Sequence, residues 1–358
     1  MNADYLIVGQ GIAGSVLAWT LDQRGKKVVL VNASQRPSAS MAAAGIFNPL
    51  TGKKLVRTWK ADVLFPYLHR FYGDIGKQLG VPLLHSSTIY RPYRSVEEQN
   101  TYLAQTADEG IRQYVLEPVD DQTYAPYIRN PYGGLAVTQS GWLDVPVFLE
   151  VIRTFFREKE QYIEAVFDYK EVEISEKAVF WQGQTFDKLI VCEGPYASQN
   201  PWFDWLPYNP VKGQTLDVEM DQYGISDIVN QGVFIMPVQS NCYRVGATYT
   251  WHDIDWQTTE DGKAFLEQKL QPLLKVPYRV VGQRVGIRPA TKDRRPLIGL
   301  HPAFSTLGIF NGLGTKGVSL APFFAGQFAD FLEGRKELDP EVNIARSFSL
   351  YYSGKKDV

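Results

Sequence analysis

The chain has 358 residues, 44% of them hydrophobic and 21% charged, with a formal net charge of −2. That length predicts two domains or one large interrupted one, and the near-neutral balance excludes a global attraction to nucleic acid or to anionic membrane. No apolar stretch reaches membrane-spanning length, and no basic segment precedes the first apolar run as in a signal peptide, so a cytoplasmic location and no membrane span are expected. Cys192 and Cys242 lie in strand-like apolar surroundings and read as inert thiols, and His69, His85, His252 and His301 lack ligand spacing, so no metal is expected.

Residues 4–32 read DYLIVGQGIAGSVLAWTLDQRGKKVVLVN: a short apolar strand, three glycines, a helix with Ala13, Leu17, Ala18 and Leu21 on its apolar positions, then a second apolar strand. This is the pattern of a dinucleotide-binding βαβ unit. Gly9 allows the tight turn, Gly11 lets a pyrophosphate approach the backbone at Ile12 and Ala13, and Gly14 lets helix and strand pack closely. The second strand ends in Asn32, where such units carry an acid for the ribose hydroxyls. An amide accepts a hydroxyl without the charge-assisted strength of a carboxylate, so nucleotide binding is expected to be weakened or compensated elsewhere.

Next comes SASMAAAGIFNPLTGKKLVRTW, whose small residues suit either a backbone lying against a flat ligand or a short helix. Lys53, Lys54, Arg57 and Lys60 form a basic cluster able to meet phosphates, or equally a solvated loop and helix start. Val63, Leu64, Tyr67, Leu68, Phe71 and Leu79 recur at helical spacing and predict a core-facing helix. A strand over STIYRPYRS, a polar helix over residues 95–108 and a strand and turn through PYGGLAVTQSGWLDV follow. Asp144 and Pro146 then open a helix through VPVFLEVIRTFFREK. AVFDYKEVEI and AVFWQG read as hairpin-like strands, and FDKLIVCEG as a buried strand beside the first one in a doubly wound sheet. Residues 206–285 carry strands LDVEM, GVFIMPV and CYRVGATYT and a helix from about Thr259 to Leu274, the kind of insertion that forms a lid or floor over a reactive ring. The chain returns through VGIRPATKDRRPLIGL to a glycine-rich turn and a long final helix.

The ordered pieces VGQGIAG, MAAAGIF, IVCEGPYAS, NPVKGQTLDV, GVFIMPV, YRVGATY, GIRPATKDRRPLIG and GLGTKGVSLAP resemble the D-amino-acid-oxidase superfamily of flavoproteins along the whole chain. Within it they are most similar to the glycine oxidase branch and to the FAD-dependent oxidase half of the bifunctional tRNA wobble-uridine modification enzyme. The resemblance implies an α/β fold: a Rossmann-like FAD-binding domain of the glutathione-reductase type with an interleaved antiparallel-sheet substrate domain. The expected division is residues 1–84, 144–205 and 286–358 for FAD, and 85–143 and 206–285 for substrate. Non-covalent FAD is implied, because no cysteine stands where sarcosine oxidases attach theirs. Gly9, Gly11, Ile12, Ala13, Gly14 and Asn32 would face its nucleotide half, Val172 would meet adenine, and Gly194 would let the chain pass. Ala43, Ala44 and Gly45 would lie against the flavin, and Gly314, Thr315, Lys316 and Gly317 would aim N–H groups at its pyrimidine edge. Lys316 reads either as an added charge there or as a solvated loop lysine.

The same resemblance makes Arg288 of GIRP the two-point partner of a substrate carboxylate, close enough to count with the cofactor residues; an ion pair with Asp293 is the structural alternative. Phe234 stands where glycine oxidase has a tyrosine, so a hydroxyl contact is lost. Tyr249 lines the pocket or packs in its strand. Arg244 falls near the position of a lysine that in sarcosine oxidases helps oxygen react, or is an edge-strand surface residue. The implied reaction is oxidation of a C–N bond in an amino acid or secondary amine by hydride transfer to flavin N5, with imine hydrolysis and reoxidation by dioxygen. Two alternatives stay open. One is removal of a carboxymethyl group from a modified tRNA wobble uridine, and the other is a flavin-fold protein without catalysis, motivated by Asn32 and Phe234. The oligomeric state is not indicated.

Overall fold

The computed structural model describes residues 2–52 and 54–354, so Lys53 lies outside the described residues. The chain divides into two compact units, one of residues 2–41, 145–211 and 287–354, the other of residues 42–52, 54–144 and 212–286. Residues 42–84, assigned from sequence to the nucleotide domain, group with the second unit. The reason is backbone pairing: Ile46–Phe47 pairs with Gly141–Leu143, which pairs in turn with Leu84–Ser86.

The first unit is built on parallel strands. Asn2–Val8 lies between Val28–Asn32 and Gln184–Val191, with Val8 opposite both Val31 and Val191. Tyr162–Glu164 extends the sheet beyond Val28–Asn32, and Leu307–Asn311 pairs in parallel with the last residues of Gln184–Val191. The first residues of that strand carry an antiparallel hairpin instead, through Val179–Trp181 and Glu173–Ile174. Residues 165–170, expected to be strand, are a loop and the start of a short 3-10 turn. Strands covered on both faces read as continuous apolar runs, as VVLV does here with every residue at or below 2% exposure. The helix Ile12–Asp22 is buried on most of its circumference because it packs against Val145–Glu158 and Gly317–Leu332 as well as against the sheet.

The second unit carries a largely antiparallel sheet in the order Arg279–Arg288, Val211–Glu219, Cys242–Gly246, Phe234–Gln239, Ile228–Asn230, Ile89–Pro92, Gly134–Val137 and Val115–Leu116. Alternation sorts its two faces. Leu216, Val218, Tyr243, Val245 and Ile235 join Leu266 and Leu270 of the helix Glu260–Leu270 in one apolar cluster. Thr215, Asp217, Arg244, Gly246, Phe234 and Met236 take the opposite face. The helix Ala61–Leu79 buries Leu64, Leu68, Tyr72 and Ile75, a stripe rotated from the predicted one, which leaves Val63 46% exposed.

Candidate functional site

The parallel strands of the first unit end together at Gly9, Asn32, Cys192 and Gly312, the edge of an open α/β sheet where ligands bind. Gly9 has φ +100°, and a Cβ there would lie 2.6 Å from the Cys192 carbonyl oxygen. At Gly14 a Cβ would lie 1.8 Å from the Gly9 carbonyl oxygen. Strand-to-helix packing therefore demands these two glycines whatever binds. Gly11 is different: its φ is −84°, and a Cβ would meet only Ser40, with Oγ at 3.1 Å and Cβ at 4.0 Å. Neither backbone strain nor a rigid neighbour accounts for it; a phosphate approaching the helix N-terminus would.

Ser40, which sequence reading missed, stands at that N-terminus with its Oγ accepting the Ile12 N–H at 3.0 Å. The signal lay in SASMAAAG, read only for its small residues. Ala13 is buried in the first turn of the helix. Asn32 turns its Oδ1 to the Gln10 N–H at 3.0 Å, fastening the glycine turn. Gly194 has φ +58°, and its carbonyl accepts from Asn311 Nδ2 at 2.9 Å. Val172 closes the turn Tyr169–Glu171 and packs beside the core of the first unit.

The C-terminal turn reaches the same place. A Cβ on Gly317 would lie 2.9 Å from Ile12 Cγ2, so the N-termini of Ile12–Asp22 and Gly317–Leu332 adjoin. Two helix N-termini bring N–H groups and partial positive charge to one point. Gly314 donates its N–H to the Pro289 carbonyl at 3.2 Å, which ties the turn to the residue after Arg288. Around Gly314 a Cβ would find nothing nearer than Ala290 at 3.9 Å, and Thr315 is exposed. Lys316 is half-buried rather than solvated, and burial, reinforced by Arg295 and Arg294, pushes its ammonium below the usual lysine range. Asp293, the alternative partner for Arg288, holds Arg346 at 2.9 Å and accepts the Arg295 N–H at 3.0 Å. These residues fit a dinucleotide cofactor: a Cβ would intrude at Gly11, two helix ends face one way, and the demanding glycines keep strand and helix close.

In the second unit Phe234 and Thr215 flank Gly246, where a Cβ would touch Phe234 Cζ at 2.8 Å and Thr215 Cγ2 at 2.6 Å. Arg244 is 6% exposed on a strand with neighbours on both sides, which overturns the surface-edge reading. Its Nε meets Asp217 at 2.9 Å, and the other oxygen of Asp217 holds Arg284 at 2.7 Å. Arg244 also reaches toward the Ala43 carbonyl, at 3.5 Å. Tyr249 lies beyond the end of its strand and is 55% exposed, so strand packing is not its role. Ala39–Ala42 form a short helix. Gly45 has φ +72° and sits so close to Leu143 that a Cβ would be 2.1 Å from its carbonyl oxygen.

A sequence model of the DAO family, described as FAD dependent oxidoreductase, matches residues 4–331. Glycine oxidase of Bacillus subtilis (strain 168) is 26% identical, over 94% of this chain and 94% of its own. The tRNA 5-methylaminomethyl-2-thiouridine biosynthesis bifunctional protein MnmC of Aeromonas hydrophila is 23% identical over 89% of this chain but 54% of its own, so this chain spans about half of that relative. The crystal structure of iminodiacetate oxidase (IdaA) from Chelativorans sp. BNC1 has the same fold, with a TM-score of 0.77 at 20% identity over 96% of this chain and 98% of that one. Together with the adjoining helix ends and the glycine turns, the match over most of the sequence shows that this chain belongs to the DAO family of FAD-dependent oxidoreductases.

Proposed function

We propose that the chain oxidises the C–N bond of a small amino acid or secondary amine that carries a carboxylate, with glycine and N-substituted glycines as the substrate class. The observation that carries this reading is the Gly314 N–H to Pro289 carbonyl bond, which fastens the C-terminal turn to the residue following Arg288. Bound FAD, held by the residues around Gly9–Gly14 and Gly314–Gly317, supplies a two-electron acceptor.

The guanidinium of Arg288 pairs with the substrate carboxylate through two parallel N–H donors, which fixes the direction of the α-carbon's C–H bond. The amine reacts in its neutral form, so no side-chain base is required at carbon; the imine product is hydrolysed by water. Phe234 brings no hydroxyl, the reason for placing N-substituted glycines beside glycine. The names of the B. subtilis relative and of the Chelativorans structure point to the same substrate class. Anaerobic incubation of the yellow protein with glycine, sarcosine, iminodiacetate and D-amino acids tests it: the flavin absorbance bleaches with at least one of them. No bleaching with any refutes the reading, and peroxide release in air separates an oxidase from a dehydrogenase.

A second reading, removal of a carboxymethyl group from a tRNA wobble uridine, is favoured by the exposed Tyr249 and Trp251, at 55% and 61%, whose faces suit base stacking. The basic cluster adds less, because Arg57 is paired with Asp62 at 3.1 Å and Lys60 lies over the Trp59 ring. Bleaching by tRNA bearing the carboxymethylaminomethyl group, and by no small amine, selects this reading.

A further inference from the structure

The acid expected at the end of the second strand is absent from it, yet a carboxylate stands beside the position. Parallel pairing of Tyr162–Glu164 with Val28–Asn32 sets Glu164 opposite Asn32, and residues opposite one another in register project from the same face of a sheet. The end of Asn32 is already engaged: its Oδ1 accepts the Gln10 N–H at 3.0 Å, and its amide hydrogen-bonds the Tyr162 hydroxyl. Tyr162 in turn donates to Glu164 Oε2 at 3.1 Å, while Glu164 Oε1 accepts the Ser34 N–H at 2.6 Å. Arg157 stands 3.6 Å from Oε2. Burial acts to raise the Glu164 carboxyl, but the Ser34 and Tyr162 hydrogen bonds outweigh it and hold the group below the usual range, so it is ionised at neutral pH.

A carboxylate offers about four acceptor positions. Three are engaged here, by the Ser34 N–H, the Ser34 side chain and the Tyr162 hydroxyl, which leaves about one, and the side chain is 37% exposed. The loop from Glu164 runs to Val172, the residue expected at adenine, and the Ala165 N–H bonds the Asn32 carbonyl at 2.9 Å. The carboxylate therefore lies between the end of the second strand and the start of that loop. We propose that Glu164 receives the 2′-hydroxyl of the adenosine ribose of FAD, doing from the neighbouring strand what an acid at position 32 does in other dinucleotide folds. Asn32 then fastens the glycine turn, and Tyr162 ties the two side chains together. The proposal rests on FAD dependence and not on the identity of the amine.

The test is titration of the full-length apoprotein with FAD and with an FAD analogue whose adenosine ribose lacks the 2′-hydroxyl, read by flavin fluorescence and by thermal shift. Wild type is expected to bind the analogue about tenfold more weakly, the loss of one charge-assisted hydrogen bond. Glu164→Gln should bind FAD about tenfold more weakly than wild type does and lose little more on the analogue. Asn32→Asp in the Glu164→Gln background should recover the discrimination. Equal binding of both ligands by wild type overturns the proposal without need of a variant. So does a Glu164→Gln protein that loses the same factor on both ligands relative to wild type, because Glu164 would then act only on the Ser34 turn. Failure of wild type to bind any FAD overturns the cofactor assignment itself and the proposal with it.

Discussion

Gly11→Ala separates the demands of folding from those of the ligand. The backbone at Gly11, with φ −84° and ψ −167°, is open to any residue, and the new methyl would meet only Ser40 Oγ, at 3.1 Å. That hydroxyl must shift by a few tenths of an ångström, loosening its bond from the Ile12 N–H, at a cost of at most about 1 kcal/mol. Glycine to alanine at an N-cap adds about 0.5 kcal/mol, so the apoprotein melts only ~2–4 °C lower. The same methyl would stand where a pyrophosphate at this helix end is expected to approach, and displacing two charge-assisted hydrogen bonds there should weaken FAD binding at least ~100-fold. Gly14→Ala is the opposite case. Its methyl would sit 1.8 Å from the Gly9 carbonyl oxygen and 3.3 Å from Cys192 Cβ, which forces helix and strand apart and destabilises even the apoprotein by about 3 kcal/mol. Apoprotein denaturation and FAD titration of the two variants provide the measurement. A Gly11→Ala protein that binds FAD like wild type, or that loses it only by unfolding, refutes the reasoning.

Arg288→Lys should retain flavin yet lower kcat/KM for carboxylate-bearing amines about 100-fold, since one ammonium cannot make the two-point contact; steady-state rates on the loaded protein check this. Asp217→Asn leaves the buried Arg244 without its carboxylate and should cost about 3 kcal/mol in urea denaturation, whereas an apolar replacement of both residues should recover most of it. Burial acts to raise the Asp217 carboxyl, but Arg284 and Arg244 hold it below the usual range, so its contribution is complete above pH ~4 and fades as pH falls through the folded value. Glu193 is shifted the other way: burial raises its carboxyl, with Tyr169 at 2.6 Å and Asn200 at 3.1 Å only partly opposing. The folded state holds that proton more tightly than the unfolded one, so stability declines as pH climbs from ~4.5 through the folded value. Glu193→Gln should therefore gain thermal stability over wild type at pH 8 and not at pH 4, by parallel melting curves.

The first strand, the glycine turn, its helix and the second strand are legible because each step is local: apolar runs, small residues and a 3.6 period. Val191 beside Val8 is legible for a similar reason, as a buried strand needs a buried neighbour. What escaped depends on pairing across long stretches of chain. Residues 42–84 join the second unit through Ile46 and Trp142, a match no local pattern announces. Arg244 looks like an edge residue until Asp217 and Met236 are found on either side of it. Gly45 suggested ligand contact, yet close approach to the Leu143 backbone is enough to require it. Asn32 looked like a missing acid because its neighbour Glu164 lies 132 positions away in sequence and only the parallel register unites them.

Ser40 has a consequence for how the holoenzyme is assembled. Its hydroxyl satisfies an amide that would otherwise be orphaned at the start of the first helix, so that helix end has a partner built into the chain. A hydroxyl both gives and takes hydrogen bonds; on arrival of a phosphate it can rotate, release the amide and offer its own proton to the incoming oxygen. Nucleotide binding at this helix end would then exchange one partner of the Ile12 amide for another.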